Sequence, residues 1–443
     1  MRLPIENVDS STRPIPPISM RTDQTAVDLF AGAGGLSLGF QQAGFAVRAA
    51  VEYDPIHCAT HEFNFPDCAT ICRSVTDIDG DYIRSHSEIG DKEISVVVGG
   101  APCQGFSLIG KRALDDPRNS LVFHFLRLVK ELRPKYFVFE NVKGLTLGHH
   151  RHFLHEIIHE FKELGFCIVE PYRVLNALWY GVPQDRQRLF LLGARRGLPL
   201  PAYPLPTHQP NYETVADLHD LPRTPTVWEA IGDLPEVDEY PELLESDSTY
   251  AKYSQPSDYA KMLRDSSETT RKGLRLVTSS LRTVHTPLSK KRFRATPFGN
   301  VESISRFLKL NPDGYCNTLR AGTASDRGAF TSPRPIHPYT PRCITVREAA
   351  RLHSYPDWFR FHVTKWHGFR QIGNSVPPLL ARNVALQIAT LLRRSRSVQV
   401  NVAVPQLGDV RLLSLDMSEA AQRYNVSSQV IPRRQRIAEE AYA

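Results

Sequence analysis

The pattern of apolar and polar residues along the first two hundred positions predicts strands and helices that follow one another in turn. Short, largely apolar runs rich in β-branched and aromatic residues predict strands at residues 25–30, 45–52, 93–100, 135–140, 166–174 and 188–194. Apolar residues spaced three and four positions apart predict helices at residues 36–44, 55–63, 119–132 and 152–165. Because strands and helices alternate, the sequence predicts an α/β fold with a doubly wound, mostly parallel sheet.

This alternation of predicted strands and helices stops near residue 200. Residues 199–260 are rich in proline and aspartate, and helical patterns return only at 346–353 and 377–393. We therefore expect two domains between flexible ends. The four regions are a disordered N-terminus over 1–22, a main domain over 23–200 completed by 346–394, a smaller domain over 201–345, and a loosely structured tail over 395–443 that is undocked or partly ordered.

Composition narrows the class of protein. With 443 residues, 41% of them hydrophobic, the chain can bury two domain cores. The formal charge of +7 permits a nucleic-acid partner, although many metabolic enzymes are equally basic. The seven cysteines are irregularly spaced, and the chain shows neither a signal peptide nor a membrane-spanning run. We expect a cytoplasmic protein that has no disulfide framework and no membrane partner.

A glycine-rich turn follows the first predicted strand. The segment DLFAGAGG, residues 28–35, lets the backbone approach a ligand closely and turn into a helix. Glu52 ends the second predicted strand, where a carboxylate can accept both hydroxyls of a ribose. The pattern indicates a nucleoside cofactor, although NAD enzymes share this logic and the spacing is not GxGxxG. The alternative is that the glycines merely turn the chain.

Two reactive side chains follow the next strands. Cys103 lies in GGAPCQGFS, just beyond the strand at 93–100, where open α/β sheets place their chemistry. Its glycine- and proline-rich surroundings favour an exposed nucleophile over a small buried hydrophobe. Glu140 ends the strand at 135–140, and desolvation there would raise its pKa so that the carboxyl can hold a proton. Without Cys103, a solvated or helix-capping glutamate would be the simpler interpretation.

Five motifs stand in the order found in one enzyme family. DLFAGAGGLSLGF, GGAPCQGFS, FENVKGL, PQDRQR and QIGNSVPP resemble the bacterial DNA (cytosine-5)-methyltransferases of restriction–modification systems. The resemblance covers residues 25–197 and 318–393, and the region between them corresponds to the family's variable target-recognition domain. It implies transfer of a methyl group from S-adenosylmethionine to carbon 5 of a cytosine that is flipped out of a specific double-stranded DNA site.

The resemblance also implies the catalytic residues. Cys103 would add to cytosine C6 and form a covalent intermediate, while Glu140 would bond N3 and stabilise the charge pushed onto the ring. Arg186 and Arg188 would lie near the base and donate to its O2 and to nearby backbone. Flipping the base costs roughly a few kcal/mol, and the loop after Cys103 would close over it.

The same resemblance implies a cofactor site in the main domain. Glu52 would hold the ribose, Tyr53 would pack on the adenine, and Asp77 would accept from its amino group. Residues from QIGNSVPP would hold the methionine end, because the family's C-terminal helix packs back beside the first strand. The implied cofactor-binding residues are Phe30, Gly32, Gly34, Gly35, Glu52, Tyr53, Asp77, Pro102, Asn374 and Ser375.

DNA contacts are expected from the loop after Cys103 and from the smaller domain. Arg320 and Arg327 lie in glycine-containing loops and could reach guanines, although a solvated surface charge is the commoner outcome for any one arginine. Basic residues of the segment SKKRFR suit phosphates. The implied DNA-binding residues are Gln104, Ser107, Lys290, Arg292, Thr318, Leu319, Arg320 and Arg327. We expect a monomer, with a cognate restriction endonuclease as a partner typical of the family.

Four other functions compete with this hypothesis. Residues 155–159 match the zinc pattern HExxH, but their spacing favours a solvated histidine face beside an apolar one, and no metal is expected. An enzyme of the same chemistry acting on tRNA would not need so long a variable region. A non-enzymatic DNA-binding relative would lack Cys103 or Glu140, and an NAD oxidoreductase would leave the PCQ and ENV motifs unexplained.

Overall fold

A mostly parallel β-sheet forms the centre of the computed structural model, which describes residues 24–102, 120–148, 150–211, 220–264, 273–322, 334–392 and 406–428. Within these ranges the sheet has eight strands, in the order β3-β2-β1-β4-β5-β8-β6, and β7 also pairs with β8. They are β1 (Thr25–Leu29), β2 (Ala46–Glu52), β3 (Ala69–Cys72), β4 (Val96–Gly99), β5 (Tyr136–Val142), β6 (Phe166–Ile168), β7 (Arg173–Asn176) and β8 (Gln187–Arg195).

Helices alternate with these strands in the first half of the chain and dominate the second half. They are α1 (Gly35–Gln42), α2 (Pro55–Asn64), α3 (Gly80–Ser85), α4 (Ser120–Leu132), α5 (His150–Glu163), α6 (Val227–Ile231), α7 (Asp258–Leu263), α8 (Pro287–Ala295), α9 (Val346–Leu352), α10 (Lys365–Asn374), α11 (Pro378–Leu392) and α12 (Met417–Tyr424). Short 3-10 turns lie at Lys143–Thr146, Ala177–Tyr180, Val237–Glu239, Pro241–Leu244 and Val410–Leu413. A separate antiparallel pair is formed by β9 (Thr249–Ala251) and β10 (Arg275–Val277).

The predicted fold class is confirmed, with one difference at the far side of the sheet. Strands β1 to β5 pair in parallel, whereas β8 runs antiparallel to β5, β6 and β7. The single strand predicted at residues 166–174 is two strands, β6 and β7. Pro171 lies between them, and because proline has no backbone N–H it cannot continue a ladder of hydrogen bonds.

Apolar residues alternate along each central strand and so fill a core on each face of the sheet. In β1, Ala26 belongs to the core under α1 and α11, and Val27 belongs to the core under α4 and α5. Helices α1 and α11 pack closely, because a Cβ at Gly39 would lie 2.4 Å from the Cβ of Ala381. This contact carries the C-terminal helix back beside the first strand, as the sequence predicted.

The region after residue 200 packs against α9 and its neighbours. Val227 and Ile231 of α6 and Leu263 of α7 are part of the same core as α9. Arg351 of α9, which is fully buried, donates to the carboxylates of Asp233 and Asp357. A buried charge is tolerated when it is paired in this way, so the network fixes the position of α6 relative to α9.

The C-terminal residues 406–428 dock against α2. Leu412 and Leu413 are buried beside Ala59 and Phe63 of that helix. Of the two alternatives for the tail, this segment fits the partly ordered one; its apolar residues are too few and too irregularly spaced for the docking itself to be recognised in the sequence. Among the described residues, no helix is both long and apolar enough to cross a membrane.

Candidate active site

The carboxyl ends of β1, β2, β4 and β5 meet at one edge of the sheet, where a parallel α/β fold binds its ligands. The turn after β1 has left-handed backbone at Phe30, Gly32 and Gly34, with φ angles of 62°, 56° and 101°. A Cβ at Gly32 would meet no other atom within 4 Å, so the turn is open on that side. These features fit a backbone that a ligand approaches closely.

Glu52 closes this turn from the end of β2. Its carboxylate accepts hydrogen bonds from the backbone N–H groups of Gly32, Tyr53 and Asp54, at 2.8, 3.0 and 3.0 Å. The side chain is 7% exposed; Oε1 accepts from both Tyr53 and Asp54, whereas Oε2 accepts from Gly32 and has a second lone pair for a further bond. The predicted pairing of the glycine turn with Glu52 is therefore present as a preformed acceptor for hydroxyl groups.

Residues of the GNSVPP segment lie on the other side of the turn. A Cβ at Gly35 would lie 2.5 Å from the carbonyl oxygen of Val376 and 2.9 Å from the Cβ of Ser375. The two segments are more than 300 residues apart in sequence and in direct contact in the fold. Asn374, at the end of α10, is exposed beside them. The structure thus brings together the two halves of the predicted cofactor site.

Two predicted cofactor residues differ in their surroundings. Tyr53 follows Glu52 directly and is 44% exposed, so its ring is accessible to a planar ligand. Asp77 is exposed and accepts a hydrogen bond from its neighbour Thr76 at 2.7 Å. It borders a cavity of about 310 Å³ that is lined also by Tyr82 and Arg127, and neither Glu52 nor Tyr53 contributes to that lining. The assignment of Asp77 to the adenine therefore stays a prediction.

The edge of the sheet fits S-adenosylmethionine. A carboxylate positioned by backbone N–H groups suits the ribose hydroxyls of such a cofactor. The open glycine turn suits its methionine chain, and the accessible aromatic ring suits its adenine. Glu52, Tyr53, Gly32 and Ser375 would hold it, with Asn374 at the far end. Phe30 and Pro102 are half-buried at the same edge of the sheet, and Gly34 supports the turn.

We expect Glu52→Ala to weaken cofactor binding by about 10- to 150-fold, which corresponds to roughly 1.5–3 kcal/mol for a lost hydrogen-bonded carboxylate. The measurement is the dissociation constant for S-adenosylhomocysteine by calorimetry. Glu52→Gln, which keeps one acceptor oxygen in place of two, shows how much of the loss depends on the second oxygen. Glu88→Ala, on an exposed glutamate, is the control, and unchanged affinity in both Glu52 variants would contradict the assignment.

Glu140 and Arg188 form a buried ion pair at the ends of β5 and β8. The Nε atom of Arg188 lies 2.9 Å from Oε1 of Glu140, and the two side chains are 13% and 11% exposed. Gly100 leaves space for this carboxylate, because a Cβ there would lie 2.6 Å from Oε2. Burial raises the pKa of Glu140 above the ordinary value, while the charges of Arg188 and Arg186 oppose the shift. Desolvation dominates, so the carboxyl can hold a proton.

Cys103 lies outside the described residues, and the strand and turn that lead to it are described up to Pro102. Asn141, next to Glu140, donates from Nδ2 to the carbonyl oxygen of Ala101 at 3.0 Å. This bond joins the segment that leads to the cysteine with the strand end that carries the glutamate. Gln104 and Ser107 also lie outside the described residues.

Of the two contacts expected for Arg186, to a base and to nearby backbone, the structure shows the second. It is fully buried, and its Nη1 donates to the carbonyl oxygen of Leu319 at 2.8 Å. Its Nη2 donates to the carbonyl oxygens of Gly373 and Ser375, both at 2.7 Å. With both terminal nitrogens bonded to backbone, Arg186 joins the segment before Arg320 to the cofactor segment, and a contact with the base stays a prediction.

Thr318 and Leu319 contact the segment that leads into β8. The hydroxyl of Thr318 donates to the carbonyl oxygen of Asp185 at 2.6 Å, and the N–H of Leu319 donates to Oε1 of Gln184 at 3.1 Å. Leu319 is buried, so its contribution is positional, whereas Arg320 is exposed and free of this packing. Arg327 lies outside the described residues.

The basic segment 289–294 forms most of α8. Lys290 is half-buried, and Lys291 and Arg294 are exposed. Nε of Arg292 lies 3.5 Å from Oε1 of the buried Glu302, so its charge is partly neutralised. The predicted phosphate contacts of Lys290 and Arg292 stay predictions, and Arg292 also links α8 to the following loop.

The HExxH histidines lie on a solvent-facing side of α5. His155 and His159 are exposed, and Phe153, Ile157 and Phe161 are buried, so the predicted apolar face is confirmed. In the part of the chain that the structure describes, no group of three or more histidine, cysteine, aspartate or glutamate side chains could hold a metal ion.

Sequence patterns missed two positioning residues, Asn141 and Gln184. Gln184 is fully buried, and its Nε2 donates to the carbonyl oxygen of Leu352, while its Oε1 accepts from Leu319. Asn141 directly follows Glu140 in ENV, and Gln184 lies two positions before Arg186 in PQDRQR. That adjacency is the signal that could have identified them.

Comparison with known proteins identifies relatives over most of the chain. A family model described as C-5 cytosine-specific DNA methylase matches residues 24–390. The chain is 60% identical to the type II methyltransferase M.XorII of Xanthomonas oryzae pv. oryzae, over 94% of this chain and 96% of that protein. It is 34% identical to the type II methyltransferase M.DdeI of Desulfomicrobium norvegicum, over 82% of this chain and 88% of that protein.

A solved structure agrees with these sequence matches. It is described as a DNA modification methyltransferase encoded within an E. coli prophage, and it is 32% identical to this chain with a TM-score of 0.66. The alignment covers 83% of this chain and 99% of that one.

Proposed function

The chain belongs to the C-5 cytosine-specific DNA methylase family, and from that premise we propose that it modifies one specific duplex site as the methyltransferase of a type II restriction–modification system. As a member of the family it is a DNA (cytosine-5-)-methyltransferase and uses S-adenosylmethionine as methyl donor. The observation that carries the detailed proposal is the buried pair of Glu140 and Arg188, which lies beside the backbone that leads to Cys103.

We propose covalent catalysis by Cys103. Carbon 5 of cytosine is a poor nucleophile until a thiolate adds to C6 and moves the ring electrons towards C5. Glu140 donates its proton to N3 as this bond forms, and Arg188 holds the carboxyl in place and donates to O2. When bound, S-adenosylmethionine supplies an electrophilic methyl group for C5. A base then removes the proton from C5, the electron pair forms the C5–C6 double bond and expels Cys103 as a thiolate, and N3 returns its proton to Glu140.

The remaining catalytic assignment is revised by the geometry around β8. We propose that Arg186 is a positioning residue, because its terminal nitrogens are bonded to the carbonyl oxygens of Leu319, Gly373 and Ser375. Charge-assisted bonds of this kind are stronger than neutral ones and hold the segment before Arg320 at a fixed distance from the cofactor segment.

We propose that sequence choice resides in the smaller domain, residues 201–345, and that the main domain, 23–200 with 346–394, is indifferent to it. Cys103, Glu140 and Arg188 would contact only the flipped cytosine, which is the same at every site. Flanking bases must be read from a groove, and the exposed Arg320 is a candidate for a guanine contact worth roughly 1–3 kcal/mol.

Exchange of residues 200–337 for the matching region of a relative with a known target is expected to transfer that target. Methylation mapping of host DNA reads out the result. Exchange of residues 150–163, which form α5, from the same relative is the matched control and should leave the site unchanged. An active chimera that still methylates the original site would contradict the division into two domains.

The whole proposal is tested by expression in a bacterial host that lacks DNA methylation. Deamination sequencing of DNA and RNA should find 5-methylcytosine at one short DNA site and none in tRNA. Modified tRNA with unmodified DNA would overturn the proposal. Because the substrate is host DNA, we propose a cytoplasmic enzyme that acts as a monomer, and protection of the mapped site against a cognate endonuclease would identify the restriction partner.

A further inference from the structure

The docked C-terminal segment, residues 406–428, lies beyond the part of the chain that the family model matches and still contacts the main domain at several points between Leu407 and Tyr424. We call it the C-terminal brace. Leu412 and Leu413 are buried against Ala59 and Phe63 of α2, and the side chain of Tyr424 packs in the same cluster. Burial of several apolar side chains holds the brace on the domain without the rest of the tail.

The brace is bonded to α2, the helix that begins directly after the predicted ribose-binding residue. The N–H of Gly408 donates to the carbonyl oxygen of Phe63 at 2.8 Å. The hydroxyl of Tyr424 donates to Glu62 at 2.6 Å, and Arg423 pairs with the same carboxylate. The ion pair between Arg423 and Glu62 is half-exposed and weak by itself. The contacts of the Tyr424 ring and of the backbone therefore provide most of the attachment.

A second connection reaches the backbone of Glu52 itself. Arg73, which follows β3, donates from Nη1 to the carbonyl oxygens of Cys72 and Tyr424, at 2.8 and 3.0 Å. Its own N–H donates to the carbonyl oxygen of Glu52 at 3.0 Å. Arg73 thus joins the brace to the residue whose carboxylate holds the glycine turn.

The brace also contacts the segment that leads into α10. The N–H of Val363 donates to the carbonyl oxygen of Leu413 at 2.9 Å, and Nε2 of His362 lies 3.0 Å from the carbonyl oxygen of Leu415. Helix α10 begins two residues after Val363 and ends at Asn374, the predicted methionine-binding residue. One short segment therefore spans both walls of the cofactor site.

The two walls also touch directly. Nδ2 of Asn64 donates to the carbonyl oxygen of Arg360, and Nε2 of Gln371 donates to the hydroxyl of Thr60, both at 2.8 Å. These bonds hold the walls together without the brace, so loss of the brace should loosen the site rather than abolish it.

We propose that the C-terminal brace is a positioning element that fixes the spacing between the Glu52 wall and the Asn374 wall and so preorganises the cofactor site. The proposal rests on the assignment of those two residues to the cofactor. A site that already has its binding geometry loses less free energy to ordering when the cofactor binds. The brace therefore increases the affinity for the cofactor. The reacting atoms do not touch it, and turnover at saturating cofactor is unaffected.

Two truncations test the proposal. A chain ending at residue 405 lacks the brace, and a chain ending at residue 428 keeps every described contact and serves as the matched control. By calorimetry, the dissociation constant for S-adenosylhomocysteine should rise about tenfold in the shorter chain and stay unchanged in the control. In kinetics, the KM for S-adenosylmethionine should rise while kcat at saturation is kept.

Point variants keep the test decisive if the shorter chain does not fold. Tyr424→Ala should weaken binding by at least about threefold with the melting temperature of the ligand-free protein reduced by no more than a few degrees. Arg411→Ala, on an exposed side chain that pairs with Asp409 inside the brace, is the control. Affinity within threefold of the full chain for Tyr424→Ala would overturn the proposal.

Failure of the brace proposal is distinguishable from failure of the site assignment. If Glu52→Ala weakens cofactor binding and removal of the brace does not, the site is correct and the brace merely stabilises the fold. If neither change affects binding, the cofactor lies elsewhere.

Discussion

Cys103→Ala should abolish methylation while DNA and cofactor binding persist. The thiolate is the group that adds to C6, and without that addition C5 has no electron density to attack a methyl group. Alanine removes only the sulfur, so the binding surfaces are unchanged. Incorporation of a labelled methyl group into target duplex measures activity, and calorimetry with S-adenosylhomocysteine shows that the site is intact.

A mechanism-based substrate sharpens this test. Duplex DNA with 5-fluorocytosine at the target should trap the unaltered enzyme as a covalent adduct that survives denaturing electrophoresis, because fluorine cannot leave as the proton does. Cys103→Ala should form no adduct. Cys167→Ala, at a half-buried cysteine of β6, is the matched control and should methylate and form the adduct normally. Methylation by Cys103→Ala at the normal rate would disprove covalent catalysis by this residue.

The parts of the fold that were predictable are those with strong local patterns. β1, β2, β4 and β5 were predicted because each is a run of apolar residues ended by glycine or a charged residue. β3 has only four residues, and α10 contains two glycines and several polar residues, so neither rises above the background of a loop. The tail segment was missed because its few apolar residues make sense only against α2.

The candidate site also has features that were predictable from the sequence and features that were not. Glu52 and the glycine turn were recognisable because 20 residues separate two parts of one structural unit. The bonds of Arg186 were not, because its partner Leu319 is 133 residues away and nothing in the local sequence distinguishes a buried arginine from an exposed one. Arg292 illustrates the same limit, since its pairing with Glu302 depends on how α8 packs. Local sequence thus identifies groups capable of chemistry, and tertiary packing decides which of them face the ligand.

Glu140→Gln is expected to lower kcat by about 10²- to 10⁴-fold, the usual contribution of a positioned proton donor. Glutamine keeps the size of the side chain and an oxygen that can accept from Arg188, but it cannot deliver a proton to N3. The change should therefore affect turnover more than the binding of DNA or cofactor. Glu163→Gln, the same substitution at an exposed position of α5, is the control.

The pH dependence of these variants identifies the proton. Burial raises the pKa of Glu140 above the ordinary value of 4.5, so the folded protein binds this proton more tightly than the unfolded chain does. Its contribution to stability is then complete below 4.5 and is lost as the pH rises through the raised value. Ionisations of the ligand-free enzyme appear in kcat/KM, so loss of the catalytic acid over the same range predicts a falling limb of kcat/KM in the unaltered enzyme. Glu140→Gln should lack both the limb and this loss of stability, and an unchanged limb would assign the proton to another group.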